Sequence, residues 1–264
     1  MKKASKNQIK LLRKLAQKKY REKENLFIAE GERTVDQLIT NKKVEVVSVF
    51  VDESNTNFDN AIHHFKKANE VFSLDSNLLK ELADTENPQG IIALVKMPEE
   101  TSVQEMGTDD GLILAVDRMQ DPGNLGTILR TATWFGCKGF LLGKGSVDIF
   151  HPKVVRSTVG ATGVLAYRSS ILAEDLKKLE QAGWRICFLD GNEGAQSIDS
   201  IPIHPKTVIV IGNEANGVDA SLFSDSRIRA LIPTTDTNRT VESLNAAIAG
   251  AIGLYALISK VSEQ

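Results

Sequence analysis

The chain has 264 residues, of which 42% are hydrophobic and 25% are charged, and its formal net charge is −2. These values are typical of a globular protein with two domains, and they exclude a chain that is strongly basic throughout. Cys137 and Cys187 lack metal-ligand spacing and lie in apolar surroundings, so we expect buried, inert thiols in a reducing cytoplasm. The longest apolar run is too short for a membrane span, and the charged amino end is unlike a secretory signal.

The amino end of the chain is basic. Ten lysines and arginines but only one acid lie between Lys2 and Lys23. Leu11, Leu12 and Leu15 have helical spacing, so an amphipathic helix with a solvated cationic face is predicted. Such a face would also attract the phosphates of a nucleic acid, with an affinity that falls as salt rises.

Short strands and helices alternate over residues 1–98, which predicts a small α/β domain. Residues 25–39 are predicted to form a strand, a turn at Gly31 and a helix. The other predicted elements are strands over 44–51, 71–73 and 90–96 and helices over 58–68 and 77–83. The segment 99–110 is polar, acidic and without periodicity, so it is predicted to be an interdomain linker.

Beyond the linker, the pattern is that of a parallel sheet. Apolar, β-branched runs that predict buried strands lie over 112–116, 139–142, 185–189, 208–211 and 230–232. Helices are predicted over 125–135, 153–159, 174–182 and 242–259. Alternation of this kind implies parallel strands with right-handed crossovers. The predicted fold class is therefore α/β, with a parallel-sheet domain over 111–264 preceded by the small α/β domain.

Three polar loops follow predicted strands. Residues 121–132 read DPGNLGTILRTA, residues 212–217 read GNEANG, and residues 242–245 read ESLN after Ile232 and Pro233. Ligands of open α/β sheets bind beyond the carboxyl ends of the strands. The three loops are therefore predicted to form one composite site from distant parts of the chain.

In this order, the three segments resemble the signature motifs of the SpoU (TrmH-type) RNA 2′-O-ribose methyltransferases of the SPOUT class, over roughly residues 110–260. Residues 151–161, HPKVVRSTVGA, are also similar to a family segment. Residues 27–33, FIAEGER, and 87–91, NPQGI, resemble the substrate-binding domain often fused before the catalytic domain. The resemblance implies a trefoil-knotted fold, S-adenosylmethionine as cofactor and RNA as substrate. A homodimer is predicted because the helix over 242–259 carries more small and apolar residues than one sheet contact needs, among them Ala246, Ala249, Gly253 and Leu257.

The resemblance also implies roles for individual residues. The implied catalytic residues are Asn124, Arg130, Glu214, Ser243 and Asn245. The implied cofactor-binding residues are Ile211, Gly212, Ile232, Pro233 and Leu244. The residues implied by the resemblance include no metal ligand, and the four histidines are scattered.

Two of these residues have structural alternatives. Asn124 would cap a helix beginning at Leu125, and Arg130 would form a salt bridge with Glu214. In catalysis, Arg130 would act either as a base or by orienting the phosphate beside the ribose and stabilising the alkoxide. Free arginine keeps its proton far above neutral pH, which favours the role in orienting the phosphate and stabilising the alkoxide. The sequence leaves both roles open.

The predicted function is S-adenosylmethionine-dependent 2′-O-methylation of RNA, with ribosomal RNA preferred to transfer RNA. The loop over 234–241, TTDTNRTV, is longer than is usual in the family, and Ala215 stands where the family often has glycine. One alternative is a non-catalytic RNA-binding or ribosome-assembly factor, which the retained site residues argue against. Another is a methyltransferase for a protein side chain, which the basic amino end argues against.

Overall fold

In the computed structural model, the described residues are 1–54, 65, 70–191, 194–202, 204–235, 241 and 243–262, with side chains described as far as Ile258. They form two compact units, one from Met1–Glu99 with Asp148–Val164 and the other from Glu100–Val147 with Leu165–Gln264. Among the described helices, none has the length and hydropathy of a transmembrane span.

The first unit contains a five-stranded mixed sheet. Its strands are β1 (Lys2–Lys3), β2 (Leu26–Glu30), β3 (Val46–Asp52), β4 (Glu70–Leu74) and β5 (Ile91–Lys96), in the order β1-β4-β3-β5-β2. Strand β5 pairs antiparallel with β2 and β3, and β4 pairs parallel with β1 and β3. The described helices before residue 99 are α1 (Lys6–Leu15), α2 (Lys18–Glu24), α3 (Glu32–Asn41) and α4 (Ser76–Leu82). The small α/β domain is therefore present as predicted, while the helix predicted over 58–68 lies outside the described residues except for Phe65.

The predicted basic helix is two helices, α1 and α2. Ser5 caps α1 with its side chain, and the short break between the helices lies at residues 16–17. Leu12 and Leu15 are buried and Leu11 is half-buried, as the spacing predicted. Most of the cations are exposed, but the Arg21 side chain is only 2% exposed. The cationic face therefore excludes Arg21, which has a different role.

The second unit contains a seven-stranded sheet with every strand parallel, in the order β10-β12-β9-β11-β6-β7-β8. Its strands are β6 (Gly111–Val116), β7 (Gly139–Gly143), β8 (Ala166–Ser170), β9 (Arg185–Leu189), β10 (Gln196–Ser197), β11 (Lys206–Ile211) and β12 (Ile228–Leu231). The α-helices that the structure describes after residue 99 are α5 (Val103–Met106), α6 (Pro122–Trp134), α7 (Pro152–Thr158), α8 (Leu172–Gln181) and α9 (Ala246–Ser262). The parallel sheet is confirmed, and β8 and β10 are additions to the predicted strands. The trefoil knot stays a prediction.

Helix α6 begins earlier than predicted. It starts at Pro122, not at Leu125, because the Asp121 side chain accepts a hydrogen bond from the Asn124 amide and proline suits a first helical turn. The alternative in which Asn124 caps this helix is therefore not formed, and its side chain is available for other contacts. Gly136 follows the helix with a φ of 68°, a left-handed conformation that commonly ends helices.

Helix α9 begins later than predicted. It starts at Ala246, because the Asn245 side chain accepts hydrogen bonds from the amides of Ala247 and Ile248 at 2.9 and 3.3 Å. The predicted start at residue 242 was therefore wrong, and Glu242 itself lies outside the described residues. Residues 243–245 precede the helix in an irregular conformation.

Part of the predicted linker is folded. Ser102 and Glu105 form a capping box at the start of α5. Val103 and Met106 of this helical turn are buried in the core of the second unit. Sequence periodicity did not predict this helical turn, because a four-residue helix is too short to show a repeat.

Residues 148–164 connect β7 to β8 and pack within the first unit. Phe150 lies on Phe27 with ring centroids 5.1 Å apart, and both side chains are buried. The Asn41 side chain donates a hydrogen bond to the Gly160 carbonyl at 3.1 Å. The first unit therefore consists of the predicted amino-terminal domain together with this later segment, which carries α7.

Candidate active site

Side chains from the three motifs are hydrogen-bonded to one another in the second unit. The Asn124 amide nitrogen donates to Glu214 Oε1 at 3.1 Å, and the Asn245 amide nitrogen donates to Asn124 Oδ1 at 3.0 Å. Because both ends of the Asn124 amide are bonded, its orientation is fixed. The predicted proximity of the three motifs is therefore present in the fold.

The Glu214 carboxylate also contacts the backbone at the start of α6. It accepts from the amides of Gln120 and Asp121 at 3.5 and 3.3 Å. A carboxylate is favoured there because the amino end of a helix carries partial positive charge. Glu214 therefore anchors its own loop to the loop that opens α6.

Arg130 lies on the exposed side of α6, between the buried Leu129 and the half-buried Thr131. Within the part of the chain that the structure describes, its guanidinium has no hydrogen-bond or ion-pair partner. The alternative of a salt bridge with Glu214 is therefore not formed. An unpaired guanidinium offers a planar fork of donors that suits a phosphate.

Gly212 follows β11 at a point where no side chain fits. A Cβ atom at this position would lie 2.2 Å from the carbonyl carbon of Gly217. The two chain segments approach so closely because Asn213 and Gly217 exchange backbone hydrogen bonds of 3.0 and 2.9 Å. Gly217 has a φ of 63°, a left-handed conformation that glycine adopts without strain. The loop therefore requires glycine at residue 212 for its own closure, before any ligand is considered.

The remaining site residues lie at the ends of strands or just before α9. Ile211 is buried at the end of β11, and Ile232 and Pro233 follow β12, half-buried and exposed respectively. Ser243 and Leu244 are exposed before α9, with Leu244 49% exposed.

A shallow pocket of about 470 Å³ lies elsewhere in the second unit and holds none of the site residues. It is lined by Lys177, Glu180, Gln181, Trp184, Ile186 and Ser226. The sheet edge therefore carries the stronger candidate site, because it is where the motifs meet.

Sequence reasoning missed a second polar network at the end of β6. Arg118 pairs with Asp117 and Asp219, and its carbonyl accepts a hydrogen bond from Asn213. The adjacent acid and base at the end of a predicted strand were the available signal. Their pairing with residue 219 depends on an approach of segments about 100 positions apart in the chain, which no local pattern records.

Neither a metal cluster nor a reactive thiol was found among the described residues. They contain no group of three or more histidine, cysteine, aspartate or glutamate residues that would hold a metal ion. Cys137 and Cys187 are free and buried, and burial raises the pKa of each thiol to about 12. The expected inert thiols are therefore confirmed, because a thiol reacts as its thiolate.

Comparison with known proteins identifies the family. Residues 111–255 match the SpoU rRNA Methylase family, and residues 6–93 match the MRM3-like substrate binding domain. The chain belongs to the SpoU rRNA methylase family. The family predicted from the three motifs is confirmed, and with it an RNA methyltransferase preceded by a substrate-binding domain.

Three relatives extend over nearly the whole chain. The 23S rRNA (guanosine(2553)-2′-O)-methyltransferase RlmP of Bacillus subtilis (strain 168) is 31% identical over 255 residues, which cover 96% of this chain and 97% of that protein. A solved structure from Porphyromonas gingivalis, assigned to the TrmH family of RNA methyltransferases, has a TM-score of 0.81 at 30% identity and covers 96% of this chain and 98% of that one. The SpoU methyltransferase AviRb of Streptomyces viridochromogenes, solved in complex with AdoMet, has a TM-score of 0.85 at 23% identity and covers 98% of this chain and 99% of that one. The predicted two-part α/β fold is thereby confirmed.

Proposed function

We propose that this SpoU-family enzyme transfers the methyl group of S-adenosylmethionine to a ribose 2′-hydroxyl of large-subunit ribosomal RNA. The observation that carries the proposal is the hydrogen-bonded joining of Asn124, Glu214 and Asn245, with the unpaired Arg130 on the same helix as Asn124. Relatives from Bacillus subtilis and Streptomyces viridochromogenes are both named as 2′-O-methyltransferases of 23S rRNA, which favours ribosomal over transfer RNA. We place the protein in the cytoplasm, where free thiols stay reduced.

The residues at the sheet edge fit S-adenosylmethionine. Gly212 and Ile232 each follow a strand, so backbone groups at both positions face the edge where ligands of parallel sheets bind. Ile211 and Pro233 flank these positions. Leu244 exposes apolar surface, which an adenine ring would cover. When bound, the cofactor supplies a methyl group already activated on a sulfonium.

The protein side chains have to align the ribose and accept the charge that develops on its oxygen. Arg130 binds the phosphate next to the reacting ribose and stabilises the forming alkoxide. Asn124 is held by Glu214 and Asn245 and therefore keeps one orientation at the start of α6. Ser243 is exposed next to Leu244, so its hydroxyl group is accessible to the substrate or cofactor. The bond from the methyl carbon to the sulfonium sulfur would break as the ribose oxygen bonds to that carbon, which leaves a neutral thioether. The hydroxyl proton would leave to solvent or to a neighbouring basic group.

Replacement of Arg130 tests the proposal. Arg130→Ala should lower turnover about 100-fold and leave the affinity for S-adenosylmethionine unchanged, because the guanidinium acts mainly in the transition state. Calorimetry measures cofactor affinity, and mapping of 2′-O-methyl groups in ribosomal RNA measures turnover. Lys177→Ala is the matched control, since Lys177 is an exposed cation on a helix of the same unit. Near-normal turnover of Arg130→Ala would refute the role of Arg130, and wild-type protein without affinity for millimolar cofactor would refute the function.

The proposed enzyme is a homodimer formed by the second unit. The glycines of α9 pack within their own chain, since a Cβ atom at Gly250 or Gly253 would lie 2.5 and 2.8 Å from side chains of β11 and β9. The support therefore comes from apolar residues that α9 exposes elsewhere, Ile248 and Tyr255 at 52% and 64%, and from Trp134 of α6 at 85%. Closed twofold dimers are the commonest oligomers, and exposed apolar patches commonly mark interfaces.

Light scattering tests the dimer. Wild-type protein should have about twice the 28.9 kDa chain mass at micromolar concentration, and Tyr255→Glu should have the chain mass, because burial of an unpaired carboxylate is unfavourable. Ile171→Glu is the matched control, because Ile171 is also exposed, at 56%, outside α6 and α9. A wild-type monomer, or an unchanged mass for Tyr255→Glu, would refute this interface.

A further inference from the structure

Arg118 has a backbone conformation that is unusual for an arginine. Its φ is 51°, in the left-handed region that side chains with a Cβ atom rarely adopt. Among the described residues, Asn25, Lys42 and Val159 also have positive φ, and each ends a helix, where this conformation is common. Arg118 instead follows strand β6, two residues after its end. Local strain of this kind persists where the surrounding contacts require it.

The Arg118 side chain joins two carboxylates. Its Nη2 and Nε atoms donate to Asp117 Oδ2 at 3.1 and 3.3 Å, and its Nη1 atom lies 3.2 Å from Asp219 Oδ2. Asp117 is buried and also accepts from the Asp219 amide at 2.9 Å. Without the guanidinium, two negative charges would face each other across this junction.

The Arg118 main chain holds the other end of the same loop. Its carbonyl accepts a hydrogen bond from the side-chain nitrogen Nδ2 of Asn213 at 2.8 Å. Asn213 Oδ1 in turn accepts from the backbone amides of Ala215 and Asn216 at 3.0 and 3.1 Å. Residues 212–219 are therefore attached to Arg118 near both ends, through Asn213 and Asp219. Glu214 lies between the two attachments.

We propose that Arg118 is a positioning residue that fixes loop 212–219 so that the backbone at Gly212 faces S-adenosylmethionine. This inference rests on the proposed function, because it assigns the cofactor to that loop. Arg118 acts through the loop and has no direct part in methyl transfer. The fork of the guanidinium is needed because a single donor would reach only one of the carboxylates of Asp117 and Asp219 at a time.

Two replacements separate the side chain from the backbone. Arg118→Gly and Arg118→Asn both tolerate the left-handed conformation and keep the carbonyl that binds Asn213, but both lose the guanidinium. Each should weaken the affinity for S-adenosylmethionine at least about tenfold, because a small displacement of a site loop has large effects. Arg118→Lys should fall between these variants and wild type. Asp219→Asn should reproduce part of the loss, and its effect should not add to that of Arg118→Gly.

The matched control is the ion pair of Arg168 and Asp175. Arg168 is 33% and Asp175 3% exposed in their side chains, close to the 36% and 8% of Arg118 and Asp117, and the pair joins β8 to α8. Arg168→Gln should lower the thermal midpoint and leave cofactor affinity within about twofold of wild type.

Calorimetry with S-adenosylmethionine and thermal unfolding of the full chain distinguish the outcomes. Weaker cofactor binding by Arg118→Gly and Arg118→Asn, at a thermal midpoint no lower than that of Arg168→Gln, supports the proposal. Unchanged cofactor affinity in Arg118→Gly and Arg118→Asn overturns the proposal. An equal loss of affinity in Arg168→Gln, at the same thermal midpoint as the Arg118 variants, also overturns it. Wild-type protein that fails to bind the cofactor would refute the proposed function instead.

Discussion

The buried arginine of the amino-terminal helices should be essential to the stability of the first unit. Arg21 donates to Asp148 Oδ2 at 2.6 and 3.0 Å and to the carbonyls of Leu15 and Ala16 at 2.8 and 2.9 Å. Arg21→Met keeps the apolar stem and removes all of these bonds. It leaves the Asp148 carboxylate, 14% exposed, without its cation. Loss of one partner of a buried pair costs about 3–5 kcal/mol, a large share of the roughly 5–15 kcal/mol that stabilises a typical fold.

Urea unfolding followed by two probes measures this effect. Both tryptophans, Trp134 and Trp184, lie in the second unit, so their fluorescence reports on that unit, whereas circular dichroism reports on both. For Arg21→Met, the circular dichroism transition should begin at lower urea than the fluorescence transition. The double variant Arg21→Met/Asp148→Leu should recover part of the lost stability, because replacement of both charges by apolar groups leaves neither buried and unpaired.

An exposed pair in the same unit provides the control. Arg13 and Glu81 are about half exposed, at 51% and 55%, and their bond of 2.8 Å is screened by water. Glu81→Gln should therefore leave the urea transition unchanged. A loss below about 1 kcal/mol in Arg21→Met would refute the reasoning, because it would mean that water replaces the guanidinium at no great cost.

Two further predictions concern charge in the first unit. Replacement of the exposed Lys6 and Lys10 of α1 by glutamine should weaken RNA binding. The slope of log affinity against log salt should fall by about one for each phosphate that is no longer neutralised. An unchanged slope would mean that α1 is a solvated face that does not bind RNA. Burial raises the pKa of the Glu30 carboxyl above its ordinary value of 4.5, so the folded chain holds this proton more tightly than the unfolded chain does. The stability that this proton contributes is fully present below pH 4.5 and is lost as pH rises through the raised pKa. Glu30→Gln should flatten the pH dependence of the unfolding free energy in that range, and an unaltered pH curve would contradict this assignment.

The sheet of the second unit could be predicted because its strands are short apolar runs rich in β-branched residues. Burial on both faces requires such runs, so the local sequence records the strand directly. The starts of α6 and α9 could not be predicted in the same way. Asp121 and Asn124 are both good capping residues, as are Ser243 and Asn245, and the sequence does not show which amides each side chain faces.

The site was predicted as a set of loops, and the hydrogen bonds between them were not. The motifs identify Asn124, Glu214 and Asn245 as members of one site, yet their bonding to one another depends on the order of β6, β11 and α9 in space. Arg118 was missed because its partners include Asp219, and its left-handed backbone is a property that an arginine in a sequence does not indicate. Local patterns record periodicity and caps, whereas pairing over about 100 residues is decided by topology.

The packing of residues 148–164 has the same origin and a larger consequence. The segment reads as an ordinary strand-to-strand crossover, and α7 within it was predicted correctly as a helix. However, its apolar face packs within the first unit, where Phe150, Val154 and Val155 are all at most 2% exposed. A chain cut to residues 111–264 would expose these side chains and leave Asp148 without Arg21. The folding of the crossover between β7 and β8 therefore depends on residues 1–98, although the family motifs of methyl transfer all lie after residue 110.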